Sequence, residues 1–232
     1  MIPNNPDAKF RAGASTESHE PIRFAGSDLG AQRHICAFFH SSDEAYRVML
    51  PFIKDGFDCG HKSFHVIDPK LRNEHLQRLA SGGIDVAPAE QSGQFELRNW
   101  GDTYLRDGCF DKDRMIDLVQ EMLEAGRQQG FALTRVVAHM EWAEERPNAT
   151  DRTCMFDDLV EYETRLNYIW PLYRDAVICV YDLAKFGGHI VIDVLRTHPM
   201  VLIGGVIQEN PFFQPPDEFL QELRERRATR TH

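Results

Sequence analysis

From His34 onward, short apolar runs alternate with longer amphipathic stretches, and this alternation constrains the fold more than any other feature. Runs such as His34-Ile35-Cys36-Ala37-Phe38-Phe39 and Ala176 to Tyr181 show no polar-apolar alternation, so both faces of the strands they form must be covered. The stretches between them carry helical spacing. Together they read as βαβ units, and the expected fold class is α/β, a three-layer sandwich around a mainly parallel central sheet.

The first run leads through His40-Ser41-Ser42-Asp43 into a helix over 44–57, with Ser42 or Asp43 as its cap. A second strand is predicted at 62–67, then a helix from Asp68-Pro69 to Leu79 that Gly82-Gly83 ends. A short strand is expected at 84–86, a stronger one at 95–100, and a helix over 112–129 whose Met115, Leu118, Val119, Met122 and Leu123 form one buried stripe. Strands at 134–140 and 176–181, a loop at 146–153, helices at 156–169 and 190–196, an edge strand at 200–203 and a charged helix at 216–227 complete the pattern. Residues 1–31 are poor in large apolar side chains and read as a flexible N-terminal extension, which leaves one domain over 32–232.

A formal charge of -10 and a pI near 5.4 oppose non-specific attraction to nucleic acid or anionic membranes. No apolar run reaches the roughly 18 residues of a membrane span, and the polar N-terminus has no signal-peptide core, so the expected location is the cytoplasm. Cys36, Cys59, Cys109, Cys154 and Cys179 are scattered and never spaced as CxxC. That pattern suits reduced thiols and disfavours both a disulfide framework and a structural zinc site. Cys36 and Cys179 lie within apolar runs and read as small buried hydrophobes.

In an open parallel sheet, ligands bind beyond the carboxyl ends of the strands, where loops and helix N-termini converge. That rule selects Asp68 after the second strand, Trp100 and Tyr104 after the third, His139, Glu141 and Trp142 after the fourth, and Tyr181 and Asp182 at the end of the fifth. These are the expected ligand-binding residues, because aromatic walls with a few convergent polar groups suit a small molecule. Taken singly, Trp100, Tyr104 and Trp142 are explained as well by capping the core. His139 and Glu141 stand two apart on an extended segment, so they face one side and would share a proton or a metal. Further donors such as His75, Glu161 and Asp182 come from distant segments, and no metal ligand set is assigned. There is no GxSxG elbow, no cysteine with a catalytic signature and no GxGxxG; Ser41-Ser42 reads as a helix cap and the paired glycines at 187–188 and 204–205 as turns. No catalytic residue and no cofactor is assigned.

Five separated segments carry a family likeness: HICAFFHSSDEAYRVMLPFIKDGF, AHMEWA, VEYETRLN, VICVYDLAKFGG and DVLRTHPMVLIGGVIQENPFF. In this order, from about His34 to Leu220, they resemble the MEDS family, the methanogen/methylotroph, DcmR-type sensory domain. The resemblance implies a RecA/KaiC-like fold, occurrence alone or joined to histidine-kinase or DNA-binding output modules, and sensing of small hydrocarbon derivatives. The chain departs from active RecA-like ATPases. Where a P-loop needs G-x-x-x-x-G-K-[ST], it reads HSSDEAYRV, without glycine or lysine, and Asp43 and Glu44 would repel a triphosphate. His139 stands where such ATPases place a magnesium-linked aspartate, while Asp68 falls near the place of their catalytic carboxylate.

The leading expectation is therefore a non-catalytic sensory domain that binds a small molecule and signals to a histidine kinase or transcriptional regulator, without touching nucleic acid or membrane itself. Fold-level analogy adds self-association through sheet edges. Two alternatives stand beside it: a metal- or acid/base-dependent enzyme using His139 and Glu141, and a pure protein-docking module.

Overall fold

The computed structural model describes residues 22–144 and 149–230, with only the backbone described over 149–154. Among the described residues, nine strands and eight α-helices are laid down in the order β1 (Ile22–Phe24), β2 (Ser27–Leu29), β3 (His34–Phe39), α1 (Ser42–Asp58), β4 (Lys62–Ile67), α2 (Arg72–Ser81), α3 (Val86–Gln91), β5 (Phe95–Asn99), α4 (Lys112–Gln128), β6 (Thr134–His139), α5 (Ala149–Leu166), α6 (Trp170–Tyr173), β7 (Ala176–Asp182), α7 (Gly188–Thr197), β8 (Met200–Ile203), β9 (Val206–Glu209) and α8 (Pro216–Arg230).

The central sheet has the order β5-β4-β6-β7-β3-β8-β9. Every neighbouring pair is parallel except β8 with β9, which Gly204-Gly205 joins as a tight hairpin, both glycines lying at positive φ. Because β3, β4 and the body of β7 are buried on both faces, alternate residues supply two separate cores. Cys36 and Phe38 of β3 join Met115, Val119, Met122 and Leu123 of α4, with α5 and α7, on one face. Ile35, Ala37 and Phe39 join Met49, Phe52 and Ile53 of α1 on the other. The terminal helix α8 is anchored by Phe219 and Leu223 against Val160 of α5.

The architecture is the expected α/β sandwich, with local corrections. Residues 22–31, read as part of the extension, include a β-hairpin whose Ile22, Phe24 and Leu29 are buried and whose Phe24 ring lies 4.9 Å from Phe52. Residues 1–21 of that extension lie outside the described residues. The segment 84–86 is no strand: Val86 opens α3, because β4 and β5 already pair directly and leave no place for a strand between them. The strand at 200–203 is not at the edge, since β9 pairs outside it. Helix α5 begins at Ala149, well before the expected 156, and residues 146–148 of the expected loop lie outside the described residues. The cap of α1 is Ser41 rather than Ser42 or Asp43.

Candidate functional site

The carboxyl ends of β3, β4, β6 and β7 open on one cavity of about 80 Å³. Its walls include Phe39, Ser41, Ser42, Tyr46, Asp68, Leu71, Trp100, His139, Glu141, Tyr181, Asp182 and Lys185. Of the residues selected from the sequence, Asp68, Trp100, His139, Glu141, Tyr181 and Asp182 share this cavity. Tyr104 and Trp142 do not line it; they stack on each other at 4.6 Å inside the core, joined by Phe110, which is the core-capping alternative for these two rings. The reason is geometric: after β5 the chain makes a short 3-10 turn at Trp100–Asp102, which carries Tyr104 back over the face covered by α4.

The loop between β3 and α1 closes on itself. Ser41 Oγ accepts the amide of Glu44 at 3.2 Å, and the Glu44 carboxylate accepts the amide of His40 at 2.8 Å. These reciprocal caps occupy amides that an anion would otherwise use, and Asp43 and Glu44 place negative charge in the first turn. A phosphate has no cradle here.

Asp68 caps the next turn, accepting the amide of Lys70 at 2.8 Å, and remains nearly buried at the cavity. Trp100 is held by its indole N–H, which donates to the His139 carbonyl at 3.1 Å. His139 Nδ1 and the Glu141 carboxylate lie 3.7 Å apart, an ion-pair separation beyond hydrogen-bond length. Burial pushes the Glu141 acid up, but the facing His139, its own backbone amide and Lys185 together outweigh it and hold the carboxyl below its ordinary value. A carboxylate beside an imidazole can stabilise a cation or exchange a proton with a bound polar group.

Behind the cavity runs a hydrogen-bonded chain that the sequence pattern did not reveal. Tyr46, on the cavity wall, meets His75 Nδ1 at 2.7 Å; His75 Nε2 meets His65 Nδ1 at 2.8 Å; His65 Nε2 meets Ser63 Oγ at 2.9 Å. Both rings are buried. With both imidazoles neutral, the protons can all point toward Ser63 or all toward Tyr46, and every ring nitrogen is satisfied either way. Burial, then His139, then Arg72 drive the His75 pKa down to about 3, and burial with His75 holds His65 well below the ordinary range. The chain fixes the Tyr46 hydroxyl at the cavity. The sequence signal was faint: His65 is a polar residue in the middle of an apolar strand.

A wider depression of about 610 Å³ lies at the opposite end of the sheet, lined by Arg33, Arg127, Trp170 and Arg174 among others. Arg33 and Arg127 donate to the backbone carbonyls of Arg174 and Tyr173, so these two guanidiniums tie loops together rather than converge on a ligand. Among the described residues, no helix is long and apolar enough to cross a membrane.

The fold is shared with a KaiC-like protein from the hyperthermophilic archaeon Pyrococcus horikoshii OT3, which superposes with a TM-score of 0.51 at 15% identity, over 77% of this chain and 73% of that one. Among curated proteins, the chain is 23% identical over 188 residues to the transcriptional repressor DcmR of Methylorubrum extorquens (strain DSM 6343 / CIP 106787 / DM4). The match takes in 79% of this chain but 64% of that repressor. The family model described as the MEthanogen/methylotroph, DcmR Sensory domain matches residues 33–199, and the chain belongs to this MEDS family of sensory domains.

Proposed function

We propose that the chain is a small-molecule sensor whose ligand occupies the cavity at the carboxyl ends of β3, β4, β6 and β7, and that it acts by signalling rather than by catalysis. The observation that carries this reading is the cavity itself: acids Asp68 and Glu141, with His139, Tyr46 and Trp100, converge where a RecA-like ATPase would hold nucleotide, next to a loop whose caps and acids leave no cradle for phosphate. Size narrows the ligand. A cavity of about 80 Å³ is well under the roughly 150 Å³ that admits benzene, so the part of the ligand seated in it is small. Its mixed lining selects a polar group on a short hydrocarbon, in keeping with the small hydrocarbon derivatives the family resemblance implies.

The bound state is read by a signalling partner, a histidine kinase or a transcriptional regulator, in the cytoplasm; the relative named a transcriptional repressor supports a regulatory output. Isothermal titration with one- to three-carbon alcohols, amines, acids and halocarbons tests the reading. Binding by the wild-type protein that weakens tenfold or more in Asp68→Asn or His139→Ala, about 1.4 kcal/mol, is the expected result. No binding across the panel by a folded protein refutes the sensor reading and leaves a docking module.

A further inference from the structure

On the other face of the sheet, four donors from four distant segments meet in the core: His34 at the start of β3, Glu163 in α5, Cys179 in β7 and His198 after α7. All are buried, and their donor atoms lie within 4.8 Å of one another. Glu163 Oε2 is 3.1 Å from His34 Nε2, 3.4 Å from His198 Nε2 and 3.6 Å from Cys179 Sγ, while Cys179 Sγ is 3.9 Å from His34 Nε2. A tetrahedral zinc with bonds of about 2.1 Å to N or O and about 2.3 Å to S sets its ligands about 3.4 to 3.6 Å apart. These four separations already stand near those values, and the remaining two lie within 4.8 Å.

The hydrogen bonds around the cluster fix which ring nitrogens carry protons. The Asn167 amide N–H₂ faces the carbonyls of Thr197 at 2.7 Å and Thr164 at 3.1 Å, so its Oδ1 faces His34 and accepts from Nδ1–H at 3.0 Å. The Thr197 hydroxyl donates to the Val194 carbonyl at 2.8 Å and therefore accepts from His198 Nδ1–H at 2.7 Å; that same N–H also lies 3.0 Å from the Val194 carbonyl. In the neutral rings, both Nε2 atoms thus present bare lone pairs to a carboxylate, with no proton between them. His198 Nε2 is buried without a hydrogen-bond partner among the described residues. Ring N–H groups tied to oxygen acceptors behind the donors are the outer arrangement of metal-bound histidines. The Tyr181 hydroxyl supplies the same support to the carboxylate, donating to Glu163 Oε1 at 3.4 Å.

We propose that His34 Nε2, Glu163 Oε2, Cys179 Sγ and His198 Nε2 form a closed, structural divalent-metal site suited to zinc. One thiolate and one carboxylate cancel the charge of a divalent ion, so the occupied site adds no net charge to the core. Mixed N, S and O donors match borderline-soft zinc rather than calcium or magnesium, which take oxygen. Binding displaces the Cys179 thiol proton to solvent. With four protein donors no position is left open for substrate, and the ion staples β3, β7, α5 and the end of α7. The wide spacing of these ligands in sequence is why the scattered cysteines read as ordinary thiols.

The test is elemental analysis of the full chain purified without chelator, followed by exchange of the metal for Co²⁺. About one zinc per chain is expected, with a thiolate-to-cobalt charge-transfer band after exchange and a melting temperature that falls when metal is removed. Cys179→Ser should abolish the band, and His198→Ala should lower metal content severalfold. If either variant fails to fold, the charge-transfer band of wild-type protein alone decides whether a cysteine ligates. A folded wild-type chain that is metal-free and unmoved in melting temperature by added Zn²⁺ overturns the proposal. So does metal retained at full stoichiometry in folded Cys179→Ser and His198→Ala.

Discussion

Acidification should destabilise this protein through its buried histidines, and His75 allows the size of the effect to be worked out. Its ring is 1% exposed, hydrogen-bonded at both nitrogens, and its pKa falls from 6.5 to about 3 on folding. A histidine whose native pKa is depressed takes up its proton first in the unfolded chain. Its share of stability is therefore complete above pH 6.5 and is lost as pH falls from there toward 3. At pH 5 the unfolded imidazole is almost wholly protonated while the native one stays neutral, which costs about 2 kcal/mol relative to pH 7. His75→Gln removes the titration and keeps a group able to hydrogen-bond. Urea unfolding followed by circular dichroism at pH 7 and pH 5 measures the difference. Whatever the variant loses at pH 7, its further loss on going to pH 5 should be about 2 kcal/mol smaller than that of wild type. Equal losses in the two proteins would refute the reasoning and place the proton elsewhere.

Asp175 works with the opposite sign: burial raises its acid from 3.8 to about 6, so the protonated native form is favoured and stability falls as pH rises from about 4 through 6. Asp175→Asn should gain on wild type by about 2 kcal/mol between pH 4 and 8, read by the same denaturation curves. Gly126 of α4 lies against β6, where an added Cβ would stand 2.6 Å from Thr134 Oγ1; Gly126→Ala should cost about 1–3 kcal/mol despite the better helix former, seen as a lower melting temperature. Arg135 is buried and donates to the Phe52 carbonyl and to Asp55, each at 2.7 Å, so Arg135→Met should cost about 1–3 kcal/mol by removing both bonds and taking from Asp55 its guanidinium partner. Tyr46→Phe should preserve the fold and weaken ligand binding severalfold, a result that titration calorimetry reads directly.

Local pattern carried a good part of this structure. The apolar runs at 34–39 and 176–181 read as strands covered on both faces, the runs at 62–67 and 134–139 read as strands although polar residues such as His65 and Arg135 interrupt them, and the amphipathic stretches between them read as the covering helices. Once a parallel sheet is inferred, the strand-end rule brings Asp68, Trp100, His139, Glu141, Tyr181 and Asp182 to one end, where they share a cavity. Strand order was a different matter. That β3 lies between β7 and β8, and β6 between β4 and β7, depends on which crossovers pack together, and periodicity within a segment holds no record of that.

The side chains that look least remarkable in sequence show the same division. Tyr104 and Trp142 follow strand ends as His139 does, yet the turn after β5 and the packing of α4 fold both rings into the core. His65 and His75, ten residues apart on a strand and a helix, become hydrogen-bonded only because α2 returns over β4. His34, Glu163, Cys179 and His198 have no spacing that marks them as a set, and only the adjacency of β3 and β7 under α5 brings them together. The sequence determined the central strands, the long helices and the residues that stand at the strand ends, because those follow from short-range periodicity and burial. The tertiary structure alone decided which distant polar groups meet, because that depends on contacts between residues far apart in the chain.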